Sequence, residues 1–168
     1  EPDYTVSYEG FVGGETETVL GGTLAFTTGY VKTSYVSELG IVPSGLTSTN
    51  YAITFENGTL TVNKIIISVP VAVDNLVYNG SVQTGVTEGT GYTITGNTGT
   101  GAGDYIATAT LENGYIWSGD STEAKNISWN IAKKALTVTA GDKTITFGDD
   151  EPDYTVSYEG FVGGETET

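Results

Sequence analysis

The 168-residue chain carries 21 acidic residues against six basic ones, all lysine, for a net charge of −15, and it has neither histidine, cysteine nor methionine. That inventory removes the usual carriers of metal, thiol and general-base chemistry, and the charge repels nucleic acid and anionic membranes, so the expectation is no enzyme, no nucleic-acid partner and no membrane insertion. With 24 glycines, 11 tyrosines and a hydrophobic fraction of only 38%, the composition favours short strands joined by tight turns, an all-β protein.

In chain order, the first element is also the last. Residues 1–18, EPDYTVSYEGFVGGETET, recur without a change as residues 151–168, a period of 150 residues. Identity of this kind marks a tandem array, and the chain, which opens at Glu1-Pro2, reads as a window on a longer polymer. Residues 51–62 follow as a predicted hairpin: Tyr51, Ile53 and Phe55 alternate up to Glu56-Asn57-Gly58, a type I′ turn signal, and Leu60 and Val62 alternate after it. Asn63 and Lys64 close this segment.

Residues 65–133 read as a second module, about 70 residues and a reasonable small domain. Ile65, Ile67 and Val69 open it, Leu76-Val77-Tyr78 runs into Asn79-Gly80, Tyr92 and Ile94 alternate, Tyr105 to Leu111 makes a long strand, and Asn113-Gly114 turns into Tyr115-Ile116-Trp117. Ile127, Trp129 and Ile131 close it. Trp117 and Trp129 are the predicted core anchors, because a large ring fills the space between two thin sheets. After Lys133-Lys134, residues 135–147 predict two strands about Gly141-Asp142, with Leu136 and Val138 on one and Ile145 and Phe147 on the other.

Rejoined across the period, residues 134–150 followed by 1–64 form one module of about 80 residues. The chain therefore divides into 1–64, the C-terminal part of one module lacking its first strands; 65–133, a complete module; and 134–168, the N-terminal part of the next. The joints are Asn63-Lys64 and Lys133-Lys134. They carry no Pro/Ser/Gly tether, which implies a stiff array rather than beads on a string.

Candidate chemistry is sparse. Asp149, Asp150, Glu151 and Asp153 concentrate carboxylates of the kind that bind Ca²⁺, but they lack the spacing of a calcium loop, and a solvated turn is the simpler reading; no other cofactor is expected. Sequons stand at Asn57, Asn79 and Asn126; the first two are explained as turn residues ahead of glycine. Lys32, Lys64 and Lys125 lie in strand-like contexts, yet no spacing identifies the acid and amide partners that an isopeptide crosslink needs. The Gly13–Thr18 run has two glutamates but no cleft to hold them across a glycosidic bond.

Three blocks in order, Lys134-Ala-Leu-Thr-Val-Thr-Ala-Gly-Asp-Lys-Thr-Ile-Thr-Phe-Gly-Asp, Gly45-Leu-Thr-Ser-Thr-Asn-Tyr-Ala-Ile-Thr-Phe and Asn57-Gly-Thr-Leu-Thr-Val-Asn-Lys64, resemble the MBG-type repeats of large bacterial surface proteins and adhesins, with Phe147 where that family often has tyrosine. Residues 65–134 are similar to an Ig-like surface module, through Val77-Tyr78-Asn79-Gly80, Gly91–Gly96, Ala102–Tyr105 and Gly114–Ser118. The resemblance implies two small β-sandwich, Ig-like or β-grasp-like modules in tandem, at the cell surface or outside it, in a fibre, stalk or adhesin rod whose partners are neighbouring copies arranged head to tail. The competing expectation is an adhesin module that grips a glycan or host protein through Tyr4, Tyr8, Phe11, Tyr30 and Tyr35.

Overall fold

The computed structural model describes residues 3–167. Among them there is no α-helix, only a 3₁₀ turn at Glu17–Val19, and the remaining regular structure is strand arranged in several small sheets, with no closed barrel. The fold is all-β. The chain divides into two compact units, one ending at Ile65 and one beginning at Ile66.

The first unit is a three-stranded antiparallel sheet of β1 (Gly21–Thr27), β2 (Glu38–Thr47) and β3 (Gly58–Thr61), in the order β1-β2-β3. β2 is shared: Val42–Thr47 pairs with β1 and Glu38–Ile41 with β3. Beyond Ile41 one edge of β2 is therefore open, which is where a strand tolerates Pro43. A bulge between Gly22 and Ala25 depends on two facing glycines. Gly22 (φ +82°) and Gly45 (φ +89°) each leave no room for a Cβ, which would lie 2.1 Å from the Gly45 carbonyl oxygen and 2.2 Å from that of Thr23, respectively. The hairpin expected over residues 51–62 does not form. Residues 51–57 have no ladder, Asn57 lacks the positive φ of a type I′ turn, and β3 takes β2 as its partner instead. Alternation marked residues 51–55 as extended, and Tyr51 and Ile53 are indeed the half-buried ones, but alternation does not choose a partner.

Apart from Pro43, the buried apolar side chains among the described residues all lie in the second unit. Its main sheet has the order β10 (Lys125–Ile131), β8 (Gly103–Leu111), β6 (Tyr92–Thr95); two small pairs, β4 (Ile65–Ile67) with β9 (Tyr115–Trp117) and β5 (Gln83–Thr84) with β7 (Thr98–Gly99), complete the module. Cross-strand partners Tyr105 and Trp129 stack with ring centroids 4.3 Å apart and planes 15° from parallel. Around them pack Val86, Ala107 and Ile131, while the fully buried Trp117 meets Tyr92 at 5.6 Å. Each indole N–H finds a carbonyl, Trp117 on Glu123 at 2.9 Å and Trp129 on Gly96 at 3.0 Å, so neither ring is buried with an unmet donor. The expectation that the two tryptophans anchor the core is met. Leu76–Tyr78 is not a strand; it is tied by a parallel bridge from Val77 to Ala132.

The unit ends with a separate two-stranded ladder, β11 (Thr137–Ala140) antiparallel to β12 (Val156–Glu159). This corrects the expected hairpin about Gly141-Asp142: residues 143–147 are irregular, with Phe147 fully exposed, and β11 takes its partner from the repeated segment. Tyr154, Val156 and Tyr158 alternate like any strand, and a pairing register over 16 residues is invisible to a local turn rule.

Space beside Trp129 is set by Gly85, where a Cβ would lie 1.9 Å from the indole ring carbons. The Gly85→Ala variant is expected to lose about 3 kcal/mol or more, the upper end of overpacking penalties, measured as a fall in the urea midpoint followed by tryptophan fluorescence. A loss below about 0.5 kcal/mol, typical of an unconstrained surface site, would contradict the packing described.

Candidate repeat interface and module joints

The two copies of the repeated segment sit in different surroundings, which makes each a control for the other. Both keep the same turn. Gly13 and Gly14 have φ of +65° and +82°, Gly163 and Gly164 +63° and +80°; the Glu15 N–H donates to the Val12 carbonyl at 3.1 Å, and the Glu165 N–H to that of Val162 at 3.1 Å. Tyr8 and Phe11 lie 6.0 Å apart at 38°, Tyr158 and Phe161 5.7 Å apart at 36°. The loop from Tyr8 to Glu15 is thus preformed by its own sequence.

Everything else is divided between the copies. In the first, Tyr4 packs on Phe26 (5.5 Å) and Tyr4 and Val6 are half-buried, but residues 3–12 have no strand partner among the described residues. In the second, Val156–Glu159 is fully paired, yet Tyr154 and Val156 remain 69% and 53% exposed. At these strand residues one copy has packing without a ladder, and the other has a ladder whose Tyr154 and Val156 stay exposed.

Glu15 and Glu165 each accept a hydrogen bond from a tyrosine, but from different ones. Tyr51 donates to Glu15, and its hydroxyl also accepts from the Val12 N–H at 3.2 Å, while Phe11 meets the Tyr51 ring edge-on at 5.4 Å. Tyr78 donates to Glu165, and the Asn79-Gly80 turn lies against Val162 and Gly163. Phe11 is consequently half-buried and Val12 exposed, whereas Phe161 is exposed and Val162 half-buried. Phe161 forms one wall of a shallow open groove with Tyr78, Lys133, Lys134, Leu136 and Glu165.

At the joints, Asn63 is exposed and Lys64 half-buried with its Nζ 5.7 Å from the Tyr35 ring centroid; Lys133 and Lys134 are exposed after β10. The four acidic residues do not converge. Asp149 caps its own turn, accepting from the Thr146 N–H at 2.9 Å, and Glu151 accepts from the Tyr154 hydroxyl at 2.7 Å; among the described residues no group of three or more carboxylates could hold a metal ion. Asn57 is exposed beside β3, Asn79 accepts from the Ser81 N–H at 2.9 Å, and Asn126 lies exposed on β10 and accepts from the Thr108 hydroxyl at 2.9 Å. Of the aromatics named for ligand stacking, Tyr4, Tyr8, Phe11 and Tyr35 are engaged with Phe26, with one another, with Tyr51 and with Lys64, and Tyr30 is exposed. The tyrosine–glutamate pairs could not be read from the sequence, because their partners lie 36 and 87 residues apart.

The chain is all-β, and one 18-residue segment stands in it twice, once in a ladder and once without one. The sequence model of the MBG domain (YGX type) matches residues 1–61 and 136–168, more than half of the chain, and the protein belongs to that family. Neither the curated proteins nor the solved structures contain a match. MBG domains are repeat domains of large surface proteins. Residues 62–135 fall outside the match.

Hydrogen bonding to Glu15, Glu165 and Glu151, the leading cause in each case, raises the pKa of Tyr51, Tyr78 and Tyr154 above the ordinary tyrosine value of 10.0. The sign follows from the donor: only the neutral phenol can donate, so these contacts stabilise the fold below pH 10 and are lost as pH rises through the raised values. In an absorbance titration near 295 nm these three tyrosines are expected to ionise in a late phase, above the ordinary value of 10.0. Replacing each with phenylalanine should remove the late phase, and a late phase that survives all three replacements would refute the assignment.

Proposed function

We propose that this chain is a structural repeat of an extracellular fibre, stalk or adhesin rod, built from an MBG module (residues 134–150 followed by 1–64) alternating with the module of residues 65–133, and that it acts by spacing and reach rather than by catalysis. The observation that carries the reading is the repeated segment itself: the same 18 residues hold the same turn in both copies while each copy supplies contacts that the other lacks. Supporting it are the family membership, the absence of a helix long and apolar enough to cross a membrane among the described residues, and the engagement of most candidate ligand-stacking aromatics with neighbouring side chains. The partners are neighbouring copies, head to tail, joined at Asn63-Lys64 and Lys133-Lys134, and no cofactor is needed.

Two measurements on native material test this. Antibodies to the repeat should label intact cells, and electron microscopy should show linear assemblies whose axial period corresponds to one 150-residue unit. Unlabelled cells together with discrete globular particles would sink the reading. Because the acidic residues at 149–153 do not converge, adding Ca²⁺ or a chelator should leave the thermal midpoint of the purified chain unchanged; a rise of several degrees with Ca²⁺ would show that the ion organises the array.

A further inference from the structure

The main sheet of the second unit ends on a strand edge that nothing blunts. β10 runs from Lys125 to Ile131 in unbroken register with β8, with no bulge and no proline. Beyond Ile131 the outer side of the strand is taken by Leu76–Tyr78: the Ala132 N–H donates to the Leu76 carbonyl at 2.8 Å, and the Tyr78 N–H to the Ala132 carbonyl at 2.9 Å. Backbone groups of a strand alternate in direction with a period of two, so the N–H and C=O groups of Asn126, Ser128 and Asn130 point the same way as those of Ala132. They have no backbone partner among the described residues, and all three side chains are exposed. Every other free edge among the described strands is short or broken. β3, β6, β11 and β12 have four residues each and the remaining small pairs fewer, β1 carries the bulge between Gly22 and Ala25, and the open part of β2 carries Pro43. A long, regular, unprotected edge is a template for another strand, and proteins that do not use one cover it or charge it.

Charge and register say what the edge takes. The chain carries 21 acidic residues, so copies of it repel one another, yet β10 holds no acid, and its one charged side chain, Lys125, donates to the Ser121 hydroxyl at 2.9 Å. A second β10 therefore meets it without like charges in opposition. The free stretch is bounded at one end by Ala132, which Leu76–Tyr78 occupies, and at the other by Lys125, before which the chain leaves for the bridge between Ser121 and Trp117. Its middle is Ser128. We propose that two copies of this chain pair through β10, antiparallel, about a two-fold axis at Ser128, joining their three-stranded sheets into one continuous sheet. Ser128 then faces its own counterpart and Asn126 faces Asn130 in both directions, an exchange of about six N–H···O bonds. On the outer face hydroxyl opposes hydroxyl and amide opposes amide; on the inner face the half-buried Ile127 meets Trp129 of the partner copy. The contact is isologous and closes on itself, which separates it from the head-to-tail contact between successive modules. The pairing stands independently of the structural-repeat reading. Where that reading holds, arrays are tied side to side once per 150-residue unit, and a contact that is weak alone becomes avid by repetition.

The full chain has no cysteine, and a residue that faces itself gives a direct readout. In an antiparallel hydrogen-bonded pair the Cα atoms lie about 5.5 Å apart, within the span of a disulfide. Under oxidising conditions Ser128→Cys chains are expected to form a disulfide-linked dimer well above a Thr110→Cys control, whose cysteine lies exposed on the same outer face but on the central strand β8. Charge at the axis supplies a second test, read by sedimentation velocity of the full chain in about 0.5 M salt, where the repulsion between copies is screened. Ser128→Asp and Ser128→Lys each set like charges against one another, so each alone should be monomeric at concentrations where the unsubstituted chain dimerises. Mixed one to one they set Asp against Lys and should dimerise again, a pattern that only a two-fold axis at residue 128 gives. Asn126→Pro removes an N–H that points away from β8 and so takes no bond from the existing ladder; it should weaken dimerisation by about 25-fold, the factor of the two net backbone hydrogen bonds lost. Fluorescence of Trp117 and Trp129 confirms that each variant remains folded. A Ser128→Cys yield equal to the control, a mixture of the Asp and Lys chains that stays monomeric, or a dimer indifferent to Asn126→Pro overturns the proposal. If the dimer is missing while native material still shows linear assemblies, the side-to-side pairing alone falls; if the dimer forms and native material shows no assembly, the repeat reading falls and the pairing stands.

Discussion

The ladder between Thr137–Ala140 and Val156–Glu159 is the interaction on which the MBG part of this protein depends. A strand must satisfy its backbone donors and acceptors in a ladder and bury one face against a core. Here the two requirements are met in different places. The second copy of the repeated segment has the hydrogen bonds, with Tyr154 and Val156 left in solvent; the first has Tyr4 packed on Phe26 and Val6 half-buried, with no ladder. In this structure each copy of the segment meets one of the two requirements.

The contrast with residues 66–133 supports this. That module contains both tryptophans, every fully buried apolar side chain and both indole hydrogen bonds, so it satisfies its own core without help. The first unit, of comparable length, buries no large apolar side chain fully; its best-covered residue is Pro43. Its strands are not weaker formers, since β1 and β2 pair over a longer register than most strands of the second unit. A three-stranded sheet has two faces to cover, and among the described residues the first unit holds no second sheet to cover either.

How much of this was legible in the sequence follows from the range of each interaction. The central strands were readable because alternation at Tyr92–Ile94, Tyr105–Leu111 and Ile127–Ile131 is local, and the tryptophan anchors because size and amphipathy alone place such rings inside. The exact recurrence of residues 1–18 at 151–168 was readable as a repeat. The two hairpins assigned at Gly141-Asp142 and Glu56-Asn57-Gly58 were not there, for one reason: a turn signal names a place where the chain can reverse, and whether it does depends on which strands compete for the edge. β11 is won by Val156–Glu159 and β3 by Glu38–Ile41, and neither competitor is local. The tyrosine–glutamate contacts were illegible for the same reason.

Those contacts explain why one short segment carries so much of the organisation. Tyr51 reaches Glu15 from within the same sheet unit, over the face where Phe11 lies; Tyr78 reaches Glu165 from the module that precedes it, over the face where Val162 lies. Phe11 meets Tyr51 while Phe161 lines the groove beside Tyr78, and Val162 lies against the Asn79-Gly80 turn while Val12 is exposed, so the two copies of the loop meet their neighbours through different residues. A carboxylate has two oxygens and room for several donors, so a single glutamate at this position can accept both tyrosines. Between the two copies the surroundings of the segment from Phe11 to Glu15 change, and the Gly-Gly turn, with both residues at positive φ in both copies, is the part that does not.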